Sequence, residues 1–276
     1  MSDSESEGSG QSAPVYQGLL LLGPTGSGKT PLGELLAQQG VWGRRCVHFD
    51  FGAQLRRIAS GSTCGTVLSP PPVKRESSAG DLGDSSDIGR SPESQQEEGG
   101  PFSYFTPQER EFVQQVLQRG ALLEDAHFPL ALKILKWFLV VEGVETPDVL
   151  HQTALPLTRS TTGSSGERWI VLNGLPRHVG QAEALRPWID VQAVIHLECP
   201  AEVVLERIRT NVGGDRQGRT DDAVASVQAK LAIYTARTQP LIDYYQGRGV
   251  PIVRLPVTAV MTPGEAWAQL QRKNPW

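Results

Sequence analysis

An eight-residue segment near the N-terminus constrains the fold more than any other part of this chain. Residues 23–30 read Gly-Pro-Thr-Gly-Ser-Gly-Lys-Thr, which fits G-x-x-x-x-G-K-[ST], and they directly follow the apolar run of residues 19–22. This order predicts a strand, a glycine-rich turn and the start of a helix. Such a unit needs a sheet with helices packed beside it, so an α/β fold is expected.

The glycine-rich turn has the features of a phosphate-binding loop. Glycines allow backbone N–H groups to converge where a Cβ would obstruct them, and a helix N-terminus adds free donors and partial positive charge. We expect Gly26, Ser27 and Gly28 to surround the phosphates, Lys29 to reach the outer phosphates and Thr30 to ligate Mg²⁺. An ordinary glycine turn is the alternative, but it does not explain Lys-Thr at this register.

Composition narrows the range of partners. The chain has 276 residues, 39% of them apolar, and a net charge of −4 with a pI near 5.8. The apolar content suffices for a packed core. The acidic net charge and pI predict no basic face that would bind nucleic acid. Cys46, Cys64 and Cys199 fit neither a disulfide framework nor a metal site, so we interpret them as reduced thiols. Because no apolar stretch suggests a membrane span or a leader, we expect a cytoplasmic protein. We also expect it to be a monomer.

Two segments are predicted to stay outside the core. Residues 1–14 form a Ser/Gly/Glu-rich tail, and residues 60–101 form a low-complexity insertion in which Ser, Gly and Pro fill half the positions without any aromatic residue. Such segments resist burial, so both are expected to be disordered. A docking or modification role near Ser91 and Ser94 is the alternative for the insertion. The rest of residues 15–276 is predicted to form one domain.

Short apolar runs predict the sheet. They are rich in Val, Ile and Leu without polar alternation, as is typical of strands with both faces covered. Helical patterns lie between them, so we predict a P-loop NTPase-type, five-stranded parallel sheet flanked by helices. The predicted strands are residues 19–22, 46–50, 169–173, 193–197 and 252–255.

Helix signals are clearest in the middle of the chain. Thr106 and Glu109 form a capping-box pattern with Pro107 at the first helical position, and Gly120 is placed to end the helix. These residues predict a helix over residues 107–119.

Two further helices are predicted downstream. Asp125 is expected to cap a helix that ends near Gly143, and residues 223–245 to form the longest helix, bent or broken at Pro240. The first of these two carries an apolar stripe typical of a core helix, made by Ile134, Leu135, Phe138 and Leu139.

Three more motifs follow the phosphate loop in order. They are Asp-Phe-Gly-Ala-Gln-Leu-Arg-Arg at residues 50–57, Asn-Gly-Leu-Pro-Arg at 173–177 with Gln181 behind it, and Gly-Arg-Thr-Asp-Asp at 218–222. This ordered set resembles the adenylate kinase family of nucleoside monophosphate kinases, over nearly everything outside the tail and the insertion. The resemblance implies a helical region that binds the monophosphate and a short lid at residues 209–220.

The resemblance also implies ATP as phosphoryl donor, AMP as acceptor and Mg²⁺ as the metal. Arg56 and Arg177 would hold the acceptor phosphate, and Arg219 would reach the transferring group from the lid. Arginine suits this work because its guanidinium grips phosphate with a bidentate fork. Arg207 would lie over the donor adenine.

Other residues are assigned to the acceptor by the same resemblance. Gln181 would read the adenine edge, because a side-chain amide both donates and accepts hydrogen bonds. The remaining residues expected to contact the acceptor are Gly52, Leu122, Leu123, Gly174 and Lys230.

Several positions depart from the family pattern. Residue 173 is Asn where the family has the aspartate that helps hold the magnesium water shell, and residues 30–31 are Thr-Pro where the family has Gly-Thr. Asn211 stands in place of a lid-side arginine, with Arg209 or Arg216 as substitutes, and we expect Arg216 to act in catalysis. Lys230 replaces another arginine and lacks the bidentate fork.

These departures leave three functions open. The first is an active adenylate kinase that transfers the γ-phosphoryl group of ATP to AMP. The second is a nucleotide-binding or sensing module of the same fold with weakened catalysis. The third is another phosphate-loop transferase such as a tRNA prenyltransferase, against which the acidic charge and the downstream motifs argue.

Overall fold

The computed structural model describes residues 16–61, 104–120, 123–145, 149–150, 168–216 and 224–276. Within these ranges, the strands are β1 (Tyr16–Leu22), β2 (Arg45–Asp50), β3 (Arg168–Asn173), β4 (Ile189–Glu198) and β5 (Ile252–Pro256). All neighbours pair in parallel, in the order β2-β3-β1-β4-β5. The predicted five-stranded parallel sheet is confirmed, and β4 begins at Ile189 rather than at the predicted residue 193.

Helices cover both faces of the sheet. They are α1 (Lys29–Gln39), α2 (Phe51–Ser60), α3 (Pro107–Arg119), α4 (Phe128–Val141), α5 (Val179–Leu185), α6 (Ala201–Thr210), α7 (Val224–Ile233), α8 (Leu241–Gly247) and α9 (Pro263–Gln271). None of the helices in the described ranges has both the length and the apolar character that a bilayer crossing requires.

Strand β1 shows why the strands are almost wholly apolar. Leu20 and Leu22 pack into one core cluster with side chains of α2, α3, α4, α5 and α8. Leu19 and Leu21 point to the opposite face and pack with side chains of α1 and α9. Both faces of the strand are therefore buried, which accounts for its continuous leucine run.

The capping box of α3 forms as predicted. Thr106 Oγ1 accepts a hydrogen bond from the Glu109 backbone N–H at 3.2 Å, and the Glu109 carboxylate accepts one from the Thr106 N–H at 2.7 Å. Gly120 ends the helix with a φ of 60°. Because each of these groups satisfies a local requirement of the helix ends, neighbouring residues alone determine the boundaries.

The expectation that Asp125 caps the next helix is wrong. Residues Asp125–His127 form a 3₁₀ turn, and α4 begins after it without a side-chain cap. Pro129 lies in the first turn, where its fixed φ favours helix initiation without a cap. The Asp125 carboxylate lies 3.3 Å from His178 Nδ1 instead.

The predicted long helix is divided into three parts. Between α7 and α8, residues Tyr234–Thr238 form a π-helical turn in which the Gln239 N–H donates to the Tyr234 carbonyl at 2.8 Å. Pro240 follows at the break, where it provides no N–H for a continuous helix. The predicted break at this proline is confirmed, but a wider turn precedes it than the sequence pattern indicates.

Some sequence predictions concern residues outside the described ranges. These include the tail at 1–14, nearly all of the insertion at 60–101 and the end of the lid at 217–220, together with Arg219, Leu122 and Cys64. Among the described residues, Cys46 and Cys199 are free thiols. The domain boundaries stay a prediction.

Candidate nucleotide-binding site

A cavity of about 260 Å³ opens at the carboxyl ends of β1, β2 and β3. Its wall is formed by the phosphate loop, the start of α2, the segment after β3, and parts of α7 and the π-helical turn. Ligand sites of parallel α/β folds lie at this edge of the sheet, where loops after adjacent strands meet.

The phosphate loop has the backbone that its glycines permit. Gly26 and Gly28 have φ values of 74° and 95°, a region that residues with a Cβ rarely adopt. Gly28 immediately precedes α1, so the free N–H groups of that helix begin at the loop. Ser27 is almost fully buried, and its Oγ has no hydrogen-bond partner among the described residues.

Lys29 is held in the loop by backbone oxygens. Its Nζ donates to the carbonyls of Gly23 and Pro24, each at 2.6 Å. Burial, reinforced by the nearby charge of Arg177, lowers the pKa of Lys29 to about 7. A polyanion beside this amine favours its charged form, so phosphate binding and protonation of Lys29 are coupled.

Thr30 belongs to a network with the ends of β2 and β3. Its Oγ1 donates to Asp50 Oδ2 at 2.6 Å, and Asn173 Nδ2 donates to the same Asp50 oxygen at 2.9 Å. Asn173 Nδ2 also lies 3.1 Å from Thr30 Oγ1. Asp50 and Asn173 are register partners, which explains why their side chains meet. The other Asp50 oxygen accepts from the Ala53 N–H at 2.8 Å and caps α2.

Cationic side chains predominate among the charged groups of the described wall. It carries Lys29, Arg56, Arg177, Arg216 and Lys230, together with the carboxylates of Asp50 and Asp215. Arg177 is oriented by a hydrogen bond from its Nε to the Gly174 carbonyl at 2.9 Å, and burial lowers its pKa. This excess of positive charge suits a ligand with several phosphate charges.

Both polar ends of the Gln181 amide contact the backbone. Its Nε2 donates to the Leu123 carbonyl at 2.7 Å, and its Oε1 accepts from the Arg177 N–H at 2.9 Å. The side chain is buried and lines the cavity, as do Gly52, Leu123 and Gly174. Gln181 therefore ties α5 to the segment before α4, in addition to any contact with a ligand.

Arg207 packs behind the phosphate loop. Its guanidinium donates to the carbonyls of Gly26, Thr258 and Met261 at 3.2, 2.7 and 2.8 Å. The side chain is 4% exposed. These contacts join the loop to the segment that precedes α9.

The lid-side residues are described only in part. Asn211, with a φ of 48°, ends α6, and its Oδ1 accepts from the Arg216 N–H at 3.1 Å. Arg216 and Lys230 both reach the cavity wall. Arg219 and Leu122 lie outside the described ranges, and the assigned roles of all these residues stay predictions.

The cavity wall includes residues that were not selected as site residues from the sequence, among them Asp50, Tyr234 and Asp215. Asp50 was part of a quoted motif, and its position at the carboxyl end of a predicted strand was a usable signal. Tyr234 comes from the π-helical turn, with its hydroxyl 3.1 Å from His196 Nε2, and Asp215 comes from the lid. The sequence pattern of a regular helix gave no signal for Tyr234.

The parallel sheet, the phosphate loop and the cationic cavity define a phosphate-loop α/β fold of the nucleotide-binding kind. No protein-family model matches the chain. An adenylate kinase of Synechococcus sp. (strain WH7803) is 39% identical over 110 residues, which cover 38% of this chain and 56% of that protein.

Other curated relatives come from distant organisms. An adenylate kinase of Methanosarcina mazei is 33% identical over 113 residues, and one of Thermus thermophilus is 33% identical over 107 residues. The matches cover 30% and 37% of this chain, and the chain spans 53% and 55% of the two relatives, about half of each. Over these segments the chain is similar to adenylate kinases, in agreement with the resemblance seen in its motifs.

Proposed function

We propose that this chain is a nucleoside monophosphate kinase that transfers the γ-phosphoryl group of ATP to AMP. The observation that carries the proposal is one cavity in which Lys29 of the phosphate loop shares a wall with Arg56 and Arg177. A phosphoryl group passes between two polyanions, so a site for this reaction needs positive charge from two directions.

Each side of the cavity has a separate task in this proposal. Backbone N–H groups of the loop and Lys29 bind the ATP phosphates, while Arg56 and Arg177 bind the AMP phosphate. Arg177 is held by the Gly174 carbonyl, which fixes the plane of its guanidinium for bidentate contact with phosphate. Arg216 and Lys230 add positive charge from the lid side. Closing the lid, including Arg219, would exclude water and limit ATP hydrolysis.

The residues at the loop fit Mg²⁺, which prefers oxygen ligands and keeps several of its waters. The Thr30 hydroxyl lies beside the Asp50 carboxylate. The described residues contain no group of three or more His, Cys, Asp or Glu that could hold a metal ion by themselves. When bound, Mg²⁺ would offset the negative charge of the phosphates. We assign the Thr30 hydroxyl to this ion, in the manner of other phosphate loops.

Formation of ADP by the purified chain tests the proposal. ATP and Mg²⁺ are supplied with AMP, CMP, UMP or GMP, and AMP is expected to give the highest kcat/KM. Lys29→Met is the matched loss-of-function variant, because a methionine retains much of the apolar stem without the amine. Thermal unfolding of both proteins establishes that they are folded.

The results also separate kinase from sensor. If the folded chain binds ATP or AMP but accelerates transfer to none of the four acceptors, the kinase proposal fails. Asn211, which ends a helix where the resembling family has an arginine, makes such a weakened module the second candidate.

A further inference from the structure

Thr30 has a carboxylate within hydrogen-bond distance, and this carboxylate comes from β2. In phosphate-loop proteins, Mg²⁺ is held by the loop Ser/Thr together with an aspartate at the end of a nearby strand. Asp50 ends β2, and its Oδ2 lies 2.6 Å from Thr30 Oγ1. The end of β3, which lies between β1 and β2, carries the uncharged side chain of Asn173.

The hydrogen bonds assign different roles to the two side chains. The Asn173 amide donates to Asp50 Oδ2 at 2.9 Å and lies 3.1 Å from Thr30 Oγ1. The Ala53 N–H holds the other Asp50 oxygen at 2.8 Å. The Asp50 carboxylate is therefore fixed by three donors, two of which come from the side chains at the phosphate loop and at β3.

We propose that Asp50 supplies the carboxylate that holds the water shell of Mg²⁺, and that Asn173 orients it. The inference rests on the proposed nucleotide-binding function and adds a residue from β2 to the metal site. Asp50 has the negative charge that Asn173 lacks, and its Oδ2 lies beside the hydroxyl assigned to the ion. Mg²⁺ favours such an anionic oxygen over a neutral amide.

A purely structural role of Asp50 predicts a different result. As the cap of α2, Asp50 needs one side-chain oxygen, and asparagine caps helices about as well as aspartate. Asp50→Asn should therefore retain the fold and the cap while it removes the charge. The thermal midpoint of this variant should remain close to that of the wild type.

The test compares binding of the non-hydrolysable ATP analogue AMP-PNP by calorimetry, with and without Mg²⁺. In the wild type, Mg²⁺ should strengthen binding. In Asp50→Asn, that strengthening should fall about tenfold or more, the size typical of groups that support a metal site, while metal-free binding is retained. Mn²⁺ bound with AMP-PNP provides a spectroscopic readout. Its electron paramagnetic resonance spectrum should differ between the wild type and Asp50→Asn, because the variant lacks the carboxylate near the ion.

Returning the charge to β3 provides a second test. The double variant Asp50→Asn/Asn173→Asp keeps one carboxylate and one amide in the same pair of register partners. It should recover most of the metal effect. Asp215→Asn removes the other carboxylate of the described cavity wall. In this variant Mg²⁺ should strengthen AMP-PNP binding more than it does in Asp50→Asn.

The outcomes distinguish two kinds of failure. A full Mg²⁺ effect in Asp50→Asn, or a greater loss in Asp215→Asn, would overturn the assignment of Asp50 while nucleotide binding stands. Failure of the folded wild type to bind AMP-PNP under either condition would overturn the proposed function, and this inference with it.

Discussion

The two sides of the cavity are built in different ways. The side that we propose binds the phosphoryl donor is a continuous stretch, residues 23–30, in which Lys29 contacts the loop's own carbonyls. The side that we propose binds the acceptor is assembled by side chains from distant segments, such as Gln181 with Leu123 and Thr238 with the Arg177 carbonyl. The loop follows one stretch of chain and has a few distant contacts, from Asp50, Asn173 and Arg207. The acceptor side, by contrast, requires the helical layer to be in place. We therefore expect mutations on the two sides to separate binding from stability.

The largest effect is expected at Lys29, on the donor side. Lys29→Met removes the amine that we propose contacts the ATP phosphates, so kcat/KM should fall about 10²–10³-fold, as for other groups that stabilise transition-state charge. Stability should change less than at Gln181, because the variant loses two hydrogen bonds to loop carbonyls but also removes an amine whose charge is disfavoured by burial. Steady-state kinetics and urea unfolding measure the two quantities. Lys273→Met, which removes an exposed lysine contact to the Arg254 carbonyl, is the control.

The next largest effect is expected at Gln181, on the acceptor side. Gln181→Ala leaves the buried Leu123 carbonyl and the Arg177 N–H without this partner, so the free energy of unfolding should drop by about 1–3 kcal/mol. KM for AMP should rise while the affinity for ATP is retained. Gln192→Ala, which removes contacts only to neighbouring Asp190, should change stability by less than about 0.5 kcal/mol. Equal losses in both variants would contradict the assembled character of the acceptor side.

The same contrast explains how much of the molecule was predictable. The strands, the phosphate loop and the caps of α3 depend on apolar runs and on groups a few residues apart, and these were correctly predicted. The Asp50–Asn173 contact depends on β3 lying between β1 and β2, and strand order is not encoded in any local pattern.

Side chains with two possible partners are also difficult to predict from the sequence. Asp125 could cap a helix or pair with His178, and the structure has the second arrangement. Gln181 was assigned to the acceptor base, yet its amide also bridges two backbone groups that are far apart in sequence. Local propensity ranks such choices poorly, because the partner that decides them arrives only with the tertiary fold.

A smaller effect is expected from proton uptake at the donor side. The pKa of Lys29 is about 7, so its amine is mostly neutral at pH 8 and mostly charged at pH 6. Because bound phosphates raise this pKa, nucleotide binding should take up about one proton at pH 8 and far less at pH 6. The affinity should then decline by up to about tenfold per pH unit above pH 7.

Calorimetry in buffers with different ionisation enthalpies measures the uptake directly. Lys29→Arg is the matched control, because guanidinium stays charged throughout this range and should take up no proton. The ATP γ-phosphate has already lost its last proton at pH 8. We therefore assign the proton taken up at this pH to the Lys29 amine. A wild type that takes up no proton at pH 8 would contradict the lowered pKa.

The smallest effects are expected at the two capping boxes, one for each side of the molecule. Thr106 caps α3, which packs against α2 on the acceptor side, and Thr262 caps α9, which packs against α1 on the donor side. Replacing either by Ala should reduce the free energy of unfolding by about 1 kcal/mol. If the two sides unfold as one unit, the two losses appear in urea unfolding and add in the double variant. If the acceptor side opens by itself, Thr106→Ala instead speeds amide exchange in α2 and α3 while the urea midpoint stays unchanged. We expect additivity, because both layers pack on the same strand, with Leu20 facing one layer and Leu19 the other.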